Sequence, residues 1–170
     1  PEAAVAPAQA ATDVRPLINS VGRVLYVPLA RQLAPQPPPP PTVSADLFLR
    51  PIPLQQVQRG RDLAVEFRYT NTGTGTTASA DFSLFYPQRL TVFQNADLAS
   101  GDALTSFDAT RVNVRVANVR PGETRTGRIN FLVRRDAGIG ELIGLFASYS
   151  CQVIGQACRS NLAEVEVLRN

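Results

Sequence analysis

A series of short segments in which apolar and polar residues alternate extends from Thr42 to the end of the chain, and it constrains the fold more than any other feature. Leu63, Val65 and Phe67, for example, alternate with Ala64 and Glu66. A period of two residues places successive side chains on opposite faces of a β-strand, so one face of each segment can be buried. Gly, Pro and Asn residues break the series at intervals. The pattern predicts an all-β sandwich of two antiparallel sheets.

The apolar residues of these segments predict both the strands and the core. We expect about seven or eight strands and no amphipathic helix. The first strand, from Ala45, should end at Arg50 because Pro51 follows it, and residues 94–110 should form a loop or a loosely paired edge. Leu142–Ser150 should be a central strand, because its residues are almost all apolar or small. The predicted core consists of Leu63, Val65, Phe67, Phe82, Leu84, Val112, Val114, Ile129, Phe131, Ile143, Leu145, Val165 and Val167.

Residues 1–41 differ in composition from the rest of the chain. Residues 1–13 are rich in Ala and Pro, and residues 35–41 are all Pro except Gln36. Such a segment adopts the polyproline II conformation, which makes residues 35–41 a semi-rigid spacer of about 20 Å. We therefore predict an N-terminal arm over residues 1–41 and a β-sandwich over residues 42–170.

Within the arm, residues 17–29 have the alternation of a β-strand but no evident partner in the neighbouring sequence. An unpaired strand leaves its backbone groups and apolar side chains in water, so we predict that it is donated to a neighbouring subunit. Head-to-tail donation does not close on itself, and it would build a homopolymer. The predicted donor-strand residues are Leu17, Ile18, Val21, Val24, Leu25, Tyr26, Val27 and Leu29.

The residue types that carry most enzyme chemistry are missing. The chain has no His, which removes the usual general base and the Ser–His and Cys–His nucleophile pairs. It also has no Lys, and therefore no side-chain amine nucleophile. Asp97, Asp102 and Asp108 fall in residues 94–110, but their spacing only loosely matches a calcium loop. We expect no enzymatic activity, no cofactor and no metal site.

The distribution of charge argues against nucleic acid as a partner. The formal net charge is +3, but all 17 basic residues are Arg, scattered singly except for Arg134 and Arg135. Nucleic-acid sites group their basic residues and interleave them with aromatic ones. No apolar stretch approaches the length of about 18 residues typical of a membrane span. We predict neither nucleic-acid binding nor a membrane span.

The only two cysteines, Cys151 and Cys158, lie close together in the sequence. Without a His, two cysteines cannot complete a tetrahedral zinc site within this chain. A short disulfide is the interpretation we favour, and a pair of free thiols is the alternative. A disulfide implies an oxidising compartment, so we expect the protein to be secreted and to be extracellular or at the cell surface.

Several threonines crowd a Gly-rich turn that we expect to be exposed. Thr72, Thr74, Thr76 and Thr77 are candidate O-glycosylation sites on this turn. The alternative is that they reflect only the preference of Thr for strands beside a turn.

Three motifs give the chain a family resemblance over about residues 45–168. Residues 57–63 lead to Tyr69-Thr70-Asn71-Thr72-Gly73, residues 86–92 read Tyr-Pro-Gln-Arg-Leu-Thr-Val, and residues 119–124 contain Pro121-Gly122-Glu123. In this order they resemble the conserved-repeat and CARDB-like immunoglobulin-like modules of prokaryotic surface proteins. The resemblance implies an immunoglobulin-like two-sheet antiparallel sandwich displayed at a surface. The chain departs from the family pattern because it has one module, preceded by a long apolar and Pro-rich arm.

Two functions compete at this point. The first is a structural subunit of an extracellular filament or pilus, which polymerises by donating its N-terminal strand to the next copy. The alternative is a non-polymerising cell-surface adhesin or spacer module that binds a glycan or a protein. A strand-forming, apolar arm is required only by the filament, so the sequence favours that hypothesis.

Overall fold

The computed structural model describes residues 14–18 and 24–28 as backbone strands, and residues 38–150 and 157–169 with their side chains. All regular structure in these ranges is β. The strands in chain order are β1 (Val14–Ile18), β2 (Val24–Pro28), β3 (Ala45–Ile52), β4 (Gln56–Gln58), β5 (Asp62–Asn71), β6 (Thr77–Phe85), β7 (Thr91–Asp97), β8 (Ala103–Phe107), β9 (Arg111–Val119), β10 (Thr124–Val133), β11 (Leu142–Ser150), β12 (Ala157–Arg159) and β13 (Ala163–Leu168).

The chain divides into two compact units, Pro1–Pro39 and Pro40–Asn170. In the first unit β1 pairs antiparallel with β2, with Leu17 opposite Leu25. The prediction of one unpartnered strand over residues 17–29 is therefore wrong. The alternation of a segment shows which face each residue lies on but not which strand is its partner, so the sequence did not show that β1 and β2 pair with each other.

The predicted donor-strand residues are distributed over both strands of this hairpin. Leu17 and Ile18 belong to β1. Val24, Leu25, Tyr26 and Val27 belong to β2. Val21 and Leu29 lie outside the described residues. Donation of these residues to another subunit stays a prediction.

The second unit is a sandwich of two sheets, which confirms the predicted fold class. The first sheet has the strand order β3-β5-β10-β7. The second has the order β4-β13-β11-β6-β9-β8, and β12 pairs with the last residues of β11. Neighbouring strands are antiparallel except β4 and β13, which are parallel. The strands outnumber the prediction because β4 and β12 have too few residues to show a period of two, and because β8 is exposed at every residue and shows no alternation.

The two sheets enclose the core that the alternation predicts. Every predicted core residue is buried, and none is more than 2% exposed. The rings of Phe67 and Phe82 meet edge to face with their centroids 4.9 Å apart. Gly127 lies where Phe67 crosses β10, and a Cβ at this position would come 2.5 Å from the Phe67 ring. The glycine is therefore required by close packing.

One strand boundary differs from the sequence prediction. β3 continues through Pro51 to Ile52, because it lies at the edge of its sheet, where a residue without an N–H is tolerated. For residues 94–110 the second of the two predicted alternatives, a loosely paired edge, is correct. They contain the end of β7 and the whole of β8, which pairs with β9 at the edge of the second sheet.

Asn71 connects two of the motifs that the sequence singles out. Its side chain is fully buried. Its Nδ2 donates to the carbonyl oxygens of Gly75 (2.8 Å) and Val119 (2.9 Å), and its Oδ1 accepts from the Gly73 N–H (2.9 Å). The Gly122 N–H donates to the Asn71 carbonyl at 2.8 Å. The Asn-Thr-Gly and Pro-Gly-Glu motifs therefore meet at one end of the sandwich and have a structural role there.

A side chain closes the free edge of β3. The Asn161 Oδ1 accepts from the Leu49 N–H at 2.7 Å, and its Nδ2 donates to the Leu49 carbonyl at 2.9 Å. These contacts satisfy backbone groups that would otherwise be open to another strand.

Candidate functional site

The outer face of the second sheet carries an apolar patch where an antiparallel sandwich normally presents polar side chains to water. On β6, Phe82 and Leu84 face the core, and Phe85 lies on the other face. On β11, Ile143, Leu145 and Ala147 face the core, and Phe146 points outward. Strand pairing puts Phe85 directly opposite Phe146.

The two rings form a stacked pair at this surface. Their centroids are 5.0 Å apart, and the ring planes differ by 15°. The Arg159 guanidinium carbon lies 5.3 Å from the Phe146 ring centroid. This distance is within the range of a cation–π interaction, which fixes an exposed Arg over an aromatic surface.

Two leucines extend the apolar surface along β11. Leu142 is 55% exposed and lies on the same face of the strand as Phe146. Between them Gly144 has no side chain, and a Cβ there would be 3.7 Å from Leu162 Cδ1. Leu162 is itself 58% exposed. We call Phe85, Phe146, Leu142 and Leu162 the apolar patch.

Ordered polar side chains lie beside the patch on β6, β9 and β8. The Ser83 hydroxyl donates to Asn113 Oδ1 at 2.6 Å, and Asn113 Nδ2 donates to the Ser106 hydroxyl at 2.7 Å. In the next cross-strand pair on the same face, Arg115 donates to both carboxylate oxygens of Asp81, at 2.9 and 3.0 Å. These hydrogen bonds raise the pKa of Arg115. The side chains are thus held in place before any partner arrives.

Asp108 organises the turn that leads into β9 at the border of this face. Its carboxylate accepts from the Thr110 N–H and hydroxyl, both at 2.8 Å, and from Arg111 Nε at 3.0 Å. The hydrogen bonds from Thr110, followed by those from Arg111, lower the pKa of Asp108 to about 2. Hydrogen bonds to the ionised form produce a shift in this direction.

The lowered pKa of Asp108 predicts a pH-dependent stability. Because the folded-state pKa lies below the ordinary value of 3.8, ionised Asp108 stabilises the fold above that value, and this contribution is lost as the pH falls toward about 2. We expect Asp108→Asn to melt below the wild type near neutral pH, and the difference in Tm to shrink as the pH falls toward about 2. Circular dichroism melts of both proteins across this range provide the measurement. A difference in Tm that stays constant down to the lowest pH would contradict the assignment.

The predicted glycosylation sites do not all lie at the surface. Thr72, Thr74 and Thr76 are exposed. Thr77 is only 3% exposed because it opens β6 with its side chain directed into the sandwich, so it is not accessible to a glycosyltransferase in the folded protein. Glycosylation of the other three stays a prediction.

The predicted disulfide remains a prediction. Cys158 lies on β12 and is partly buried against the core. Cys151 lies outside the described residues.

The acidic residues of the β7–β9 region are used for local structure. Asp102 Oδ1 accepts from the Ala117 N–H at 3.1 Å, and Asp108 has the partners given above. Across residues 38–150 and 157–169 no group of three or more His, Cys, Asp or Glu could hold a metal ion. In the same part of the chain no helix is long and apolar enough to cross a membrane.

Sequence reasoning missed the apolar patch, although one signal for it was present. Leu84, Phe85 and Tyr86 are three consecutive large apolar or aromatic residues, and successive side chains of a strand point to opposite faces. At least one of them therefore has to face away from the core. The sequence does not show that Phe85 lies opposite Phe146, because the two residues belong to strands that are far apart along the chain.

Comparisons with known proteins support the fold. No family model matches the chain, and no curated protein matches it, so the resemblance to conserved-repeat modules has no family match behind it. Among solved structures, the sixth cohesin of scaffoldin B from Acetivibrio cellulolyticus, in complex with the Cel5 dockerin, aligns with a TM-score of 0.53 at 12% identity. The alignment covers 73% of this chain and 99% of the cohesin.

Two further cohesins give the same result. The seventh ScaB type I cohesin of Pseudobacteroides cellulosolvens has a TM-score of 0.55 and 11% identity, with 75% of this chain and 94% of that chain covered. The OlpA cohesin of Clostridium thermocellum, in a cohesin–dockerin complex, has a TM-score of 0.53 and 10% identity, with 74% and 99% covered. At identities this low, the structural alignments show a shared β-sandwich fold and nothing more specific.

Proposed function

We propose that this chain is a secreted or cell-surface module that binds a partner protein through the outer face of β11, β6 and β9. The observation that carries the proposal is the solvent-facing stack of Phe85 on Phe146 beneath Arg159. Aromatic residues and Arg are the types most enriched at the centres of protein interfaces.

The arrangement of the face matches the anatomy of an interface. The apolar patch supplies a centre that gains free energy when water is removed from it. The Ser83–Asn113–Ser106 chain and the Arg115–Asp81 pair form a polar border whose side chains are already fixed by hydrogen bonds. A partner therefore binds without paying the full entropy of ordering these groups.

The structural neighbours support a protein as the partner rather than a glycan. Two of the cohesins described above were crystallised in complex with a dockerin, which is a protein module. This favours the predicted alternative of a non-polymerising surface module over the predicted filament subunit. The extracellular location rests on the predicted disulfide and on the resemblance to surface modules.

Removal of one aromatic ring should abolish most of the affinity. We expect Phe146→Ser to weaken binding by about thirtyfold or more, equivalent to about 2 kcal/mol, because a central aromatic anchor is a typical hot spot. Leu54→Ser is the control, since Leu54 is 56% exposed between β3 and β4 and lies outside β11, β6 and β9. Proteins from the extracellular fraction of the source organism would be captured on each immobilised variant and identified by mass spectrometry.

Binding of the captured protein is then measured with purified components by isothermal titration calorimetry. Loss of binding in Phe146→Ser, with retention in Leu54→Ser, is the expected result. Equal affinity of the wild type and Phe146→Ser for every captured protein would show that the partner binds elsewhere.

The arm keeps a second candidate function open, namely association with other copies of the chain. The specific observation in its favour is that β1 and β2 form a sheet of two strands. An isolated pair of strands is marginally stable in water and gains stability from a third strand.

A further inference from the structure

The strand β8 is an open edge of the second sheet. In the part of the chain with described side chains, it pairs only with β9, and all five of its residues are exposed. Its sequence, Ala-Leu-Thr-Ser-Phe, contains no charged residue and no Pro. Leu104 and Phe107 are 37% and 61% exposed. Proteins normally protect such an edge with charges, Pro, a β-bulge or a covering segment, and of these β8 has only the register irregularity between Leu104 and Ser106.

The edge strand β3 of the first sheet, in contrast, has its free edge covered by a side chain. There the Asn161 amide occupies both backbone groups of Leu49. No comparable side-chain contact to an edge backbone group is present along the described β8. The difference marks β8 as a strand that can accept another.

Apolar surface for such a strand is available beside β8. The ring of Phe107 packs on that of Phe93 of β7, with centroids 4.8 Å apart. Both rings line a cavity of about 310 Å³, together with Val92 and Tyr86. Val92 is 42% exposed on β7, which is the edge strand of the first sheet. A strand added here would bury apolar side chains as well as pair its backbone.

The N-terminal unit contains a strand of matching chemistry. β2, Val-Leu-Tyr-Val-Pro, has five residues like β8 and carries no charge. Residues 24–27 all have a backbone N–H, whereas β1 includes the charged Arg15 and Pro16, which has none. Charge and Pro both disfavour strand addition, so the outer edge of β2 is the better donor.

We infer that β2 of a second copy adds to the free edge of β8 and extends the second sheet by β-augmentation. Among the described residues β2 pairs only with β1 and β8 only with β9, so the addition gives each of them a second neighbour. It gives the hairpin the third strand that isolated hairpins lack. Because the donor and acceptor surfaces differ, the contact is heterologous.

The test is sedimentation velocity of the full chain over a wide range of concentration. We expect the weight-average sedimentation coefficient of the wild type to rise with concentration. Leu104→Arg on β8 and Leu25→Arg on β2 should each raise the dissociation constant at least about tenfold, because a charge at a strand edge blocks pairing. Leu54→Arg, at a residue 56% exposed between β3 and β4, is the matched control and should associate like the wild type.

Hydrogen exchange provides a second readout that does not depend on any variant. The amides of residues 103–107 should become protected as the concentration rises. A wild type that remains monomeric at all concentrations overturns the inference, as does association that is unchanged in Leu104→Arg. Protection of these amides that is independent of concentration also overturns it, because the donor would then not be a second copy. These results leave partner binding at the apolar patch unaffected, since Leu104 is not part of that patch.

Discussion

Replacing Phe131 with Ala is expected to lower the free energy of unfolding by about 3–5 kcal/mol. Phe131 is fully buried on β10, and its ring lies 4.9 Å from that of Tyr86 and 6.1 Å from that of Phe93. Truncation removes the transfer free energy of the ring and leaves a cavity that surrounding strands fixed by two sheets cannot fill. Urea unfolding followed by far-ultraviolet circular dichroism measures the change.

Phe48→Ala is the matched control for this prediction. Phe48 belongs to the same sheet, but its side chain is 51% exposed on the outer face. We expect a change below about 1 kcal/mol, as for most surface substitutions. If the two variants unfold at the same urea concentration, Phe131 does not face the core.

Asn71→Ala should destabilise the fold by about 2–5 kcal/mol, although it removes no apolar surface. The substitution removes the Asn71 side chain from the carbonyls of Gly75 and Val119, and the Gly73 N–H keeps only its 3.2 Å hydrogen bond to the Ser44 carbonyl. Each buried polar group that loses its partner costs about 1–3 kcal/mol. The loss falls where the β5–β6 and β9–β10 turns meet, so both turns should loosen together.

Thr72→Ala provides the comparison for Asn71. Thr72 lies in the same turn, but it is exposed, and its hydroxyl donates only to the Ser44 hydroxyl at 3.0 Å. We expect its effect to stay within about 0.5 kcal/mol. Hydrogen exchange should show faster exchange of the Gly73 amide in Asn71→Ala and little change in Thr72→Ala. Unaltered stability of Asn71→Ala would mean that water replaces the lost hydrogen bonds.

The apolar patch and the β8 edge are two separate parts of the second sheet, and we propose a different function for each. The patch lies on the sheet face at β11 and β6, whereas the open backbone of β8 lies at the edge, on the far side of β9. A face recognises a partner through side chains, and an edge recognises a strand through its backbone. Binding of a partner protein and association between copies are therefore compatible in one molecule.

The alternation in the sequence determined which residues form the core. Leu63, Val65 and Phe67 are buried as predicted, because the face on which a side chain lies depends only on its parity within its own strand. The turns at Asn71–Gly75 and Pro121–Glu123 follow in the same way from the residue types that their backbones require. These features are local, so a single segment contains the information for each.

The tertiary structure alone decided the partner of each strand. It placed Phe85 opposite Phe146, brought Asn161 to the backbone of Leu49, and paired β1 with β2 where the sequence had suggested an unpartnered strand. It also buried Thr77 and left β8 at an open edge. Several strands that meet, such as β6 with β11 and β7 with β10, are far apart in the chain, and their order and register depend on the packing of the whole sandwich. The position of a residue in its strand determines which face it lies on, but its neighbours on that face depend on the order and register of the strands in the assembled sheets.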